Sequence, residues 1–274
     1  MSTSIRAKAK PSVRGLAREK GISRYAAEKM MNTLPDGYET NIVFFDTHGK
    51  HRDPGVINTI DAVSQDLQPK RVIAGGDIAT CAWASKIYGA ECEDMAKEEA
   101  DDVSALLKRL SVTDYIMGNH EERCTREGGS IDPRFRSILN IPNLCELDEK
   151  GINWYPYKSD AEPLRLGKLS IIHGWYYNEH CAAKHARNLG CVMHGHAHRC
   201  QTWSGGVGGK ASTGISVGCC CDTTLPFEQG KPPRGHMQAF AIVWTHPDGH
   251  FDYHVVRIVG PEVIVNGKLY RVQR

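Results

Sequence analysis

Residues 41–48 read NIVFFDTH, and this stretch decides the fold. The apolar run up to Phe45 predicts a strand, and Asp46 and His48 come directly after it. Four later polar blocks also follow apolar runs: Gly75-Gly76-Asp77, Gly118-Asn119-His120-Glu121, His173 and Gly195-His196-Ala197-His198. A side chain at the end of a buried strand has a fixed backbone and an open side toward solvent. Five such ends at one edge of a sheet predict a metal-lined cleft.

Strands and helices alternate through the first two thirds of the main region, and strands alone follow. The predicted helices are 55–66, 91–110, 133–139 and 178–189. The predicted strands are 41–45, 71–75, 114–117, 169–173, 191–194, 214–219, 238–246, 251–259 and 262–271. The last of these contains Asn266-Gly267, which is typical of a tight hairpin turn. An α/β half followed by a β-rich half predicts a layered α/β sandwich with mixed sheets.

The start of the chain differs from the rest in charge. Residues 1–31 hold eight Lys or Arg and two Glu, whereas the remainder holds 26 basic and 30 acidic residues. The spacing around Gly21 is typical of a helix-turn-helix, with Ser23 as a cap for its second helix. We therefore expect a basic arm over 1–36 and a main domain over 37–274. The candidate nucleic-acid contacts are Arg14, Arg18, Lys20 and Arg24, and a docking segment or solvated extension is the alternative.

Composition narrows the class of protein. The chain has 274 residues, of which 41% are hydrophobic, so a large core can be buried. No apolar run approaches the roughly 20 residues of a membrane span, and no signal-peptide core is present. We therefore expect a cytoplasmic protein with no membrane partner. The ten cysteines include no C-x-x-C pair, and we interpret them as small buried hydrophobic residues.

The five blocks supply a consistent set of metal donors. They contain two aspartates, four histidines and one asparagine that could bind metal, all with nitrogen or oxygen donors, which suits manganese, iron or zinc. Seven donors exceed the needs of one ion that keeps open positions. They fit two ions about 3.5–4 Å apart that share a bridging carboxylate, an arrangement suited to displacement at phosphorus.

In this order the blocks resemble the calcineurin-like metallophosphoesterase superfamily over roughly residues 40–259. The Gly218-Cys219 step and residues 235–243 are similar to members that are common in phage and prophage genomes. The resemblance implies a four-layer sandwich of two mixed β-sheets flanked by helices. It also implies the host cytoplasm as the location if the gene is carried by a phage.

The resemblance also assigns roles to the donors. It places Asp46, His48 and His198 on a first metal, Asn119, His173 and His196 on a second, and Asp77 between the two. It implies two divalent ions, with manganese favoured over iron or zinc, and attack on phosphorus by a hydroxide that bridges them. His120 would protonate the leaving oxygen as general acid. Glu121 is expected to orient its loop.

One departure bears on the substrate. Serine/threonine protein phosphatases of this superfamily follow Gly-Asp with a Val-Asp-Arg-Gly type segment, but here residues 78–81 read IATC. The aspartate that would orient His120 and an arginine that would hold phosphate are therefore missing from that segment. Arg123 and Arg199 are candidate phosphate contacts in its place, and solvated surface arginines are the alternative.

We therefore expect a hydrolase acting on a phosphodiester, nucleotide or nucleic acid. A phosphomonoesterase or protein phosphatase is the alternative within the enzyme class. In a different class, the chain would be a nucleic-acid-binding protein whose metal domain is only a scaffold. The presence of every expected donor and of His120 favours the enzyme.

Overall fold

The computed structural model describes residues 13–21, 23, 34–86, 95–224 and 235–274. These fall into two compact units, Met1–Tyr38 and Glu39–Arg274, which are taken separately below. In the first unit, helix α1 (Val13–Lys20) carries Arg14, Arg18 and Lys20 on its exposed surface. Arg24 and the expected second helix of the arm lie outside the described residues. The predicted helix-turn-helix and arm boundary therefore stay predictions.

The second unit is an α/β fold with two mixed sheets. Its strands are β1 (Glu39–Phe44), β2 (Arg71–Ala74), β3 (Asp114–Ile116), β4 (Asn153–Tyr155), β5 (Leu164–Leu166), β6 (Leu169–Ile172), β7 (Val192–His194), β8 (Cys200–Val207), β9 (Lys210–Val217), β10 (Ala239–Thr245), β11 (Phe251–Arg257), β12 (Glu262–Val265) and β13 (Lys268–Arg271). Its helices are α2 (Pro54–Leu67), α3 (Ala96–Arg109), α4 (Asn119–Glu122), α5 (Ile141–Leu144) and α6 (Cys181–Leu189).

Both sheets combine parallel strands with antiparallel edge strands, at one edge of the six-stranded sheet and at both edges of the five-stranded sheet. The six-stranded sheet has the order β11-β10-β1-β2-β3-β4, in which β1 to β4 run parallel. The five-stranded sheet has the order β5-β6-β7-β9-β8, in which β6, β7 and β9 run parallel. A separate hairpin, β12-β13, turns at Asn266-Gly267, where both residues have positive φ as the sequence predicts.

Strand β1 shows how the layers arise from alternation. Ile42 and Phe44 pack against α2 and α3, whereas Val43 and Phe45 point the other way, into the core between the sheets. Both faces of β1 are therefore buried, which is typical of central parallel strands and explains the apolar run over residues 42–45. Helix α6 covers the outer face of the five-stranded sheet through Ala186. The predicted four layers, two mixed sheets flanked by helices, are confirmed.

Helix α2 begins where its sequence indicates. The Asp53 carboxylate accepts a hydrogen bond from the Val56 amide at 3.0 Å, and Pro54 occupies the first turn. The helix ends at Gln68, whose φ of 47° breaks the helical run. A fixed start for α2 matters because the preceding segment, residues 46–52, carries the first pair of predicted ligands.

The structure differs from the sequence prediction in a few elements. Residues 133–139 form turns and not the expected helix, with Phe135 and Ile138 exposed. A short helix is stable only when it packs an apolar face against a core, and these side chains have none. Strands β4, β5 and β8 were not predicted, because two are three residues long and β8 contains Gly205-Gly206. No helix among the described residues is long and apolar enough to cross a membrane.

Candidate metal centre

The predicted ligands all follow the carboxyl ends of parallel strands. Asp46, Asp77 and Asn119 come after β1, β2 and β3 of one sheet. His173 comes after β6, and His196 and His198 come after β7, of the other sheet. The carboxyl ends of adjacent parallel strands open on a common crevice, so both sheets bring their donors to the same place.

Five of the seven predicted ligands have a left-handed backbone. Their φ angles are 54° for Asp46, 51° for His48, 51° for Asp77, 63° for His196 and 54° for His198. Residues with a side chain seldom adopt this conformation, and each instance costs on the order of 1 kcal/mol or more. Such strain persists where the surroundings impose it, and its concentration at these positions marks the strand ends as a functional site.

The first donor group consists of Asp46, His48 and His198. The Nε2 atoms of His48 and His198 are 3.1 Å apart, and Asp46 Oδ1 lies 3.3 Å from His198 Nε2. All three residues are buried. The other carboxylate oxygen of Asp46, Oδ2, accepts a hydrogen bond from the His196 amide at 2.9 Å, which fixes the direction of the carboxylate.

The second donor group consists of Asp77, Asn119, His173 and His196. The Nε2 atom of His173 lies 3.2 Å from both Asp77 Oδ2 and Asn119 Oδ1. The ligand atoms of Asp77, His173 and His196 all lie within 4.8 Å of one another. The other ring nitrogen of His173, Nδ1, is 3.2 Å from the Gly75 carbonyl oxygen, which orients the imidazole.

Asp77 lies between the two groups. Its ligand atom clusters with those of His173 and His196, and also with those of His48 and His120. Burial alone would raise the pKa of Asp77, but the surrounding histidines outweigh it and hold the pKa well below its usual range. The carboxylate is therefore ionised at neutral pH and faces donors on both sides.

The spacing of the donors fits divalent metal. Two donors about 2.1 Å from one ion, at tetrahedral or octahedral angles, are about 3.0–3.4 Å apart. The contacts of 3.1–3.3 Å within both groups match this spacing. Asp46 Oδ1 is buried and makes no hydrogen bond within the described part of the chain beyond its ion-pair contacts with His198 and His173. A buried carboxylate oxygen without a well-formed hydrogen bond is costly, and a cation would satisfy it.

The charges of the side chains at the centre also fit the binding of metal ions. Burial lowers the pKa of a histidine, yet the Asp77 carboxylate reverses this at His173 and raises its pKa to about 9. At His198 the Asp46 carboxylate likewise outweighs burial and raises the pKa to about 9. His196 is dominated by burial, which lowers its pKa to about 4. The two carboxylates thus create a site that favours positive charge, which metal ions would supply in place of protons.

His120 touches the centre without joining either donor group. Its Nδ1 is 2.9 Å from the carbonyl oxygen of Thr80, and its Nε2 is 3.7 Å from Asp77 Oδ2. The neutral carbonyl can only accept, so Nδ1 carries a proton and Nε2 faces the centre. Burial lowers the pKa of His120, against the pull of the Asp77 carboxylate. The backbone carbonyl of Thr80 thereby orients His120 in place of the aspartate that is missing from residues 78–81.

The two candidate phosphate-binding arginines occupy different positions. Arg123 donates from Nη1 to the Thr80 carbonyl oxygen at 3.0 Å, the same oxygen that accepts from His120. It therefore lies beside the general-acid candidate. The guanidinium of Arg199 donates to the carbonyl oxygens of Tyr177 and Asn178 instead. Both roles in phosphate binding stay predictions.

Glu121 orients its loop as the sequence interpretation expects. Its carboxylate accepts hydrogen bonds from one hydroxyl and four backbone amides, at 2.8–3.1 Å. The donors are Tyr115 Oη and the amides of Asp77, Ile78, Ala79 and Gly118. One buried carboxylate thus ties the loop after β2 to the loop after β3 and sets the position of Asp77.

Close packing explains the glycines beside the ligands. A Cβ atom on Gly118 would lie 2.1 Å from Asp77 Oδ1, and one on Gly195 would lie 2.4 Å from Asp46 Oδ2. Neither position has room for any side chain. The loops can therefore approach the two carboxylates only because these residues are glycine.

Sequence reasoning missed some residues that support the centre. The Glu99 carboxylate accepts hydrogen bonds from the amides of Thr80 and Cys81 and from the indole of Trp83. Nothing in the sequence separates Glu99 from the other acidic residues of α3. Cys221 also lies at the first donor group, within 4.8 Å of the donor atoms of His48 and His198. The sequence feature that could have identified Cys221 is its position in the run of three cysteines after β9.

A cavity of about 780 Å³ approaches the centre at Tyr157, although none of the seven predicted ligands lines it. Tyr157 lines it, and the Tyr157 ring centroid is 5.8 Å from that of His173. Arg126 and Lys158 also line the cavity, together with Glu122.

No protein-family model matches the chain, and no curated protein does. Its fold is similar to that of solved phosphoesterases. A metallophosphoesterase from Sphaerobacter thermophilus is 15% identical, with a TM-score of 0.41 over 81% of this chain and 88% of that one. A predicted phosphoesterase from Streptococcus pneumoniae TIGR4 is 15% identical, with a TM-score of 0.35 over 82% and 91%. YfcE, a phosphoesterase from E. coli, is 11% identical, with a TM-score of 0.36 over 85% and 100%. Similarity this distant does not transfer an activity to this chain.

Proposed function

We propose that this protein is a metal-dependent phosphoesterase with a dinuclear centre. The observation that carries the proposal is the convergence of seven nitrogen and oxygen donors from both sheets, with neighbouring donor atoms 3.1–3.3 Å apart. Asp46, His48 and His198 would hold one ion. Asn119, His173 and His196 would hold the other, and Asp77 would contact both. When bound, two such ions activate a water molecule and neutralise the charge that develops on the phosphoryl oxygens.

His120 would act as the proton donor in this reaction. Its Nδ1 is held by the Thr80 carbonyl oxygen, so its Nε2 is directed toward the donors and toward a phosphate bound there. The protonated ring would give its Nε2 proton to the leaving oxygen as the phosphoester bond breaks. Arg123, which shares the Thr80 carbonyl, adds a fixed positive charge beside this path.

We infer that the substrate is a phosphodiester, nucleotide or nucleic acid. The cavity beside Tyr157 supports this, because a diester carries a second group that must be accommodated next to the reacting phosphate. Arg126 and Lys158 at the same cavity would contact further phosphate groups, beside Glu122 and Glu127, which also line it. A phosphomonoesterase is the alternative, and it would leave this cavity without a use.

The basic arm is the second element of the proposal. Helix α1 exposes Arg14 and Arg18, which are four residues apart and so share one face, and it exposes Lys20 on another side. Such a face would contact the phosphate backbone of a nucleic acid without reading its sequence. The cytoplasm, of a host cell in the case of a phage gene, remains the proposed location.

Two substrates test the activity. Purified protein with Mn²⁺, Fe²⁺ or Zn²⁺ supplied separately would be assayed on bis-nitrophenyl phosphate and on nitrophenyl phosphate. We expect turnover that is greater on the diester, and its loss in Asp77→Asn, which removes the carboxylate between the donor groups. Asp101→Asn, an exposed aspartate on α3, is the matched control and should retain activity. The absence of turnover on both substrates and on nucleic acids, with DNA binding retained, would favour the scaffold alternative.

A further inference from the structure

Two cysteines face the first donor group, and one faces away. Cys219, Cys220 and Cys221 follow β9, with isolated bridges from Cys219 to Gln238 and from Cys221 to Arg52. Alternate side chains of an extended segment point to opposite sides. Cys220 accordingly lies in the helix-side core, whereas Cys219 and Cys221 form a separate buried pair. Cys220 therefore packs in the core, whereas the Cys219–Cys221 pair lies beside the metal centre.

The sulfur of Cys221 lies within reach of the first ion's ligands. Its Sγ and the nearest ring nitrogens of His48 and His198 all lie within 4.8 Å of one another, and all three residues are buried. Sulfur at about 2.3 Å and nitrogen at about 2.1 Å from one ion, at a tetrahedral angle, are about 3.6 Å apart. A small side-chain adjustment therefore brings the three atoms into one coordination sphere.

We propose that Cys221 binds the first metal ion as a thiolate, beside Asp46, His48 and His198. This inference rests on the proposed function, since it adds a ligand to the same centre. On binding, the S–H bond of Cys221 breaks, a sulfur–metal bond forms, and the proton passes to solvent. The side-chain hydrogen bond between the two cysteines raises the pKa of Cys221 and lowers that of Cys219, so a bound ion would have to displace the Cys221 proton.

A thiolate makes the two metal positions chemically different. The first position would combine one sulfur with imidazole and carboxylate donors, which favours zinc, and also cobalt as its spectroscopic substitute, over manganese. The second position offers only Asp77, Asn119, His173 and His196, whose nitrogen and oxygen donors suit manganese or iron as well. The general preference for manganese drawn from the sequence would therefore hold at the second position alone.

Cobalt spectroscopy tests the thiolate directly. Metal-free protein in reductant would be titrated with Co²⁺ while absorption is recorded. We expect a sulfur-to-cobalt charge-transfer band in the near ultraviolet that saturates at about one equivalent, whereas the weaker visible cobalt bands continue to rise to about two. Cys221→Ser should remove the near-ultraviolet band and retain visible bands. Cys220→Ala, the neighbour that faces the core, is the matched control and should keep both.

The possible failures are distinguishable. Visible cobalt bands in wild type without a charge-transfer band, or a band that survives in Cys221→Ser, would overturn the thiolate and leave the dinuclear centre intact. No cobalt binding at all would overturn the proposed metal centre itself. A thiol titration of the reduced protein measures whether Cys219 and Cys221 are free thiols. A Cys219–Cys221 disulfide that persists under reductant would also overturn metal binding by Cys221.

Discussion

At the scale of single residues, His120 is the proposed link between metal binding and catalysis. Its ring is held on one side by Thr80 and lies 3.7 Å from Asp77 Oδ2 on the other. We predict that His120→Gln lowers kcat for an alkyl phosphodiester by about 10²–10⁴-fold, because an alkoxide leaves poorly without a proton. Bis-nitrophenyl phosphate should lose much less, since nitrophenolate needs no protonation. Equal losses on the two substrates, at unchanged metal content, would argue against a general acid.

Glu121 gives a second prediction at this scale. Glu121→Gln replaces one acceptor oxygen with an NH2 group. This group is a donor, so it cannot accept hydrogen bonds from the backbone N–H groups that face it. We expect a loss of roughly 3 kcal/mol in the free energy of unfolding, measured with urea. Glu122→Gln, at the partly exposed neighbour, should change it by no more than about 0.5 kcal/mol. If both variants lost the same stability, the hydrogen-bond network would not be the cause.

Individual residues also show where sequence reasoning stops. All seven predicted donors meet at one place, because each follows a strand and parallel strands end together. Thr80, Glu99 and Cys221 were not predicted in their positions, because their contacts depend on the path of loops. A backbone carbonyl such as that of Thr80 leaves no signal in residue type at all.

At the scale of elements, an ion pair joins adjacent strands. Arg71 at the start of β2 donates two hydrogen bonds to Asp114 at the start of β3. Burial alone would raise the pKa of Asp114, but Arg71 and Thr113 outweigh it and hold the pKa below its usual range. The ionised carboxylate therefore stabilises the fold above the unfolded pKa of about 3.8. That stability is lost as the pH falls through the lower pKa of the folded state.

We therefore predict a pH-dependent effect of Asp114→Asn. At neutral pH the variant should be less stable than wild type by roughly 3 kcal/mol, because a buried partner of Arg71 loses its charge. The difference should shrink as the pH falls below about 4, because the unfolded wild type takes up a proton there before the folded protein does. Urea unfolding of both proteins from neutral pH down to about pH 3 measures it. A difference that stays constant with pH would show that Asp114 acts through packing.

Elements with strong periodicity were predictable, and short ones were not. Helix α2 and the helix-side and sheet-side faces of β1 follow from spacing alone. The helix expected over 133–139 failed because its apolar side chains find no core. Strand β4 has an exposed Trp154 and only three residues, so its formation depends on the neighbouring β3 more than on its own sequence.

At the scale of the whole molecule, we propose that the charged arm binds nucleic acid and that the metal domain carries the activity. We predict that removing residues 1–36 weakens nucleic-acid binding and leaves turnover of bis-nitrophenyl phosphate unchanged. Each lost phosphate contact should reduce the slope of log affinity against log salt by about 0.9 for duplex DNA. Binding titrations at several salt concentrations provide the slope. Identical affinity and slope with and without the arm would exclude it as the binding element.

The dinuclear centre is tested most directly by counting metal. Protein purified without chelator would be analysed by inductively coupled plasma mass spectrometry against its concentration from amino-acid analysis. Seven donors in two groups that share Asp77 predict about two ions per chain. Asp77→Asn should reduce this number, because it weakens the residue that faces both groups. One ion or none per wild-type chain, after incubation with excess Mn²⁺ and Zn²⁺, would contradict a dinuclear centre.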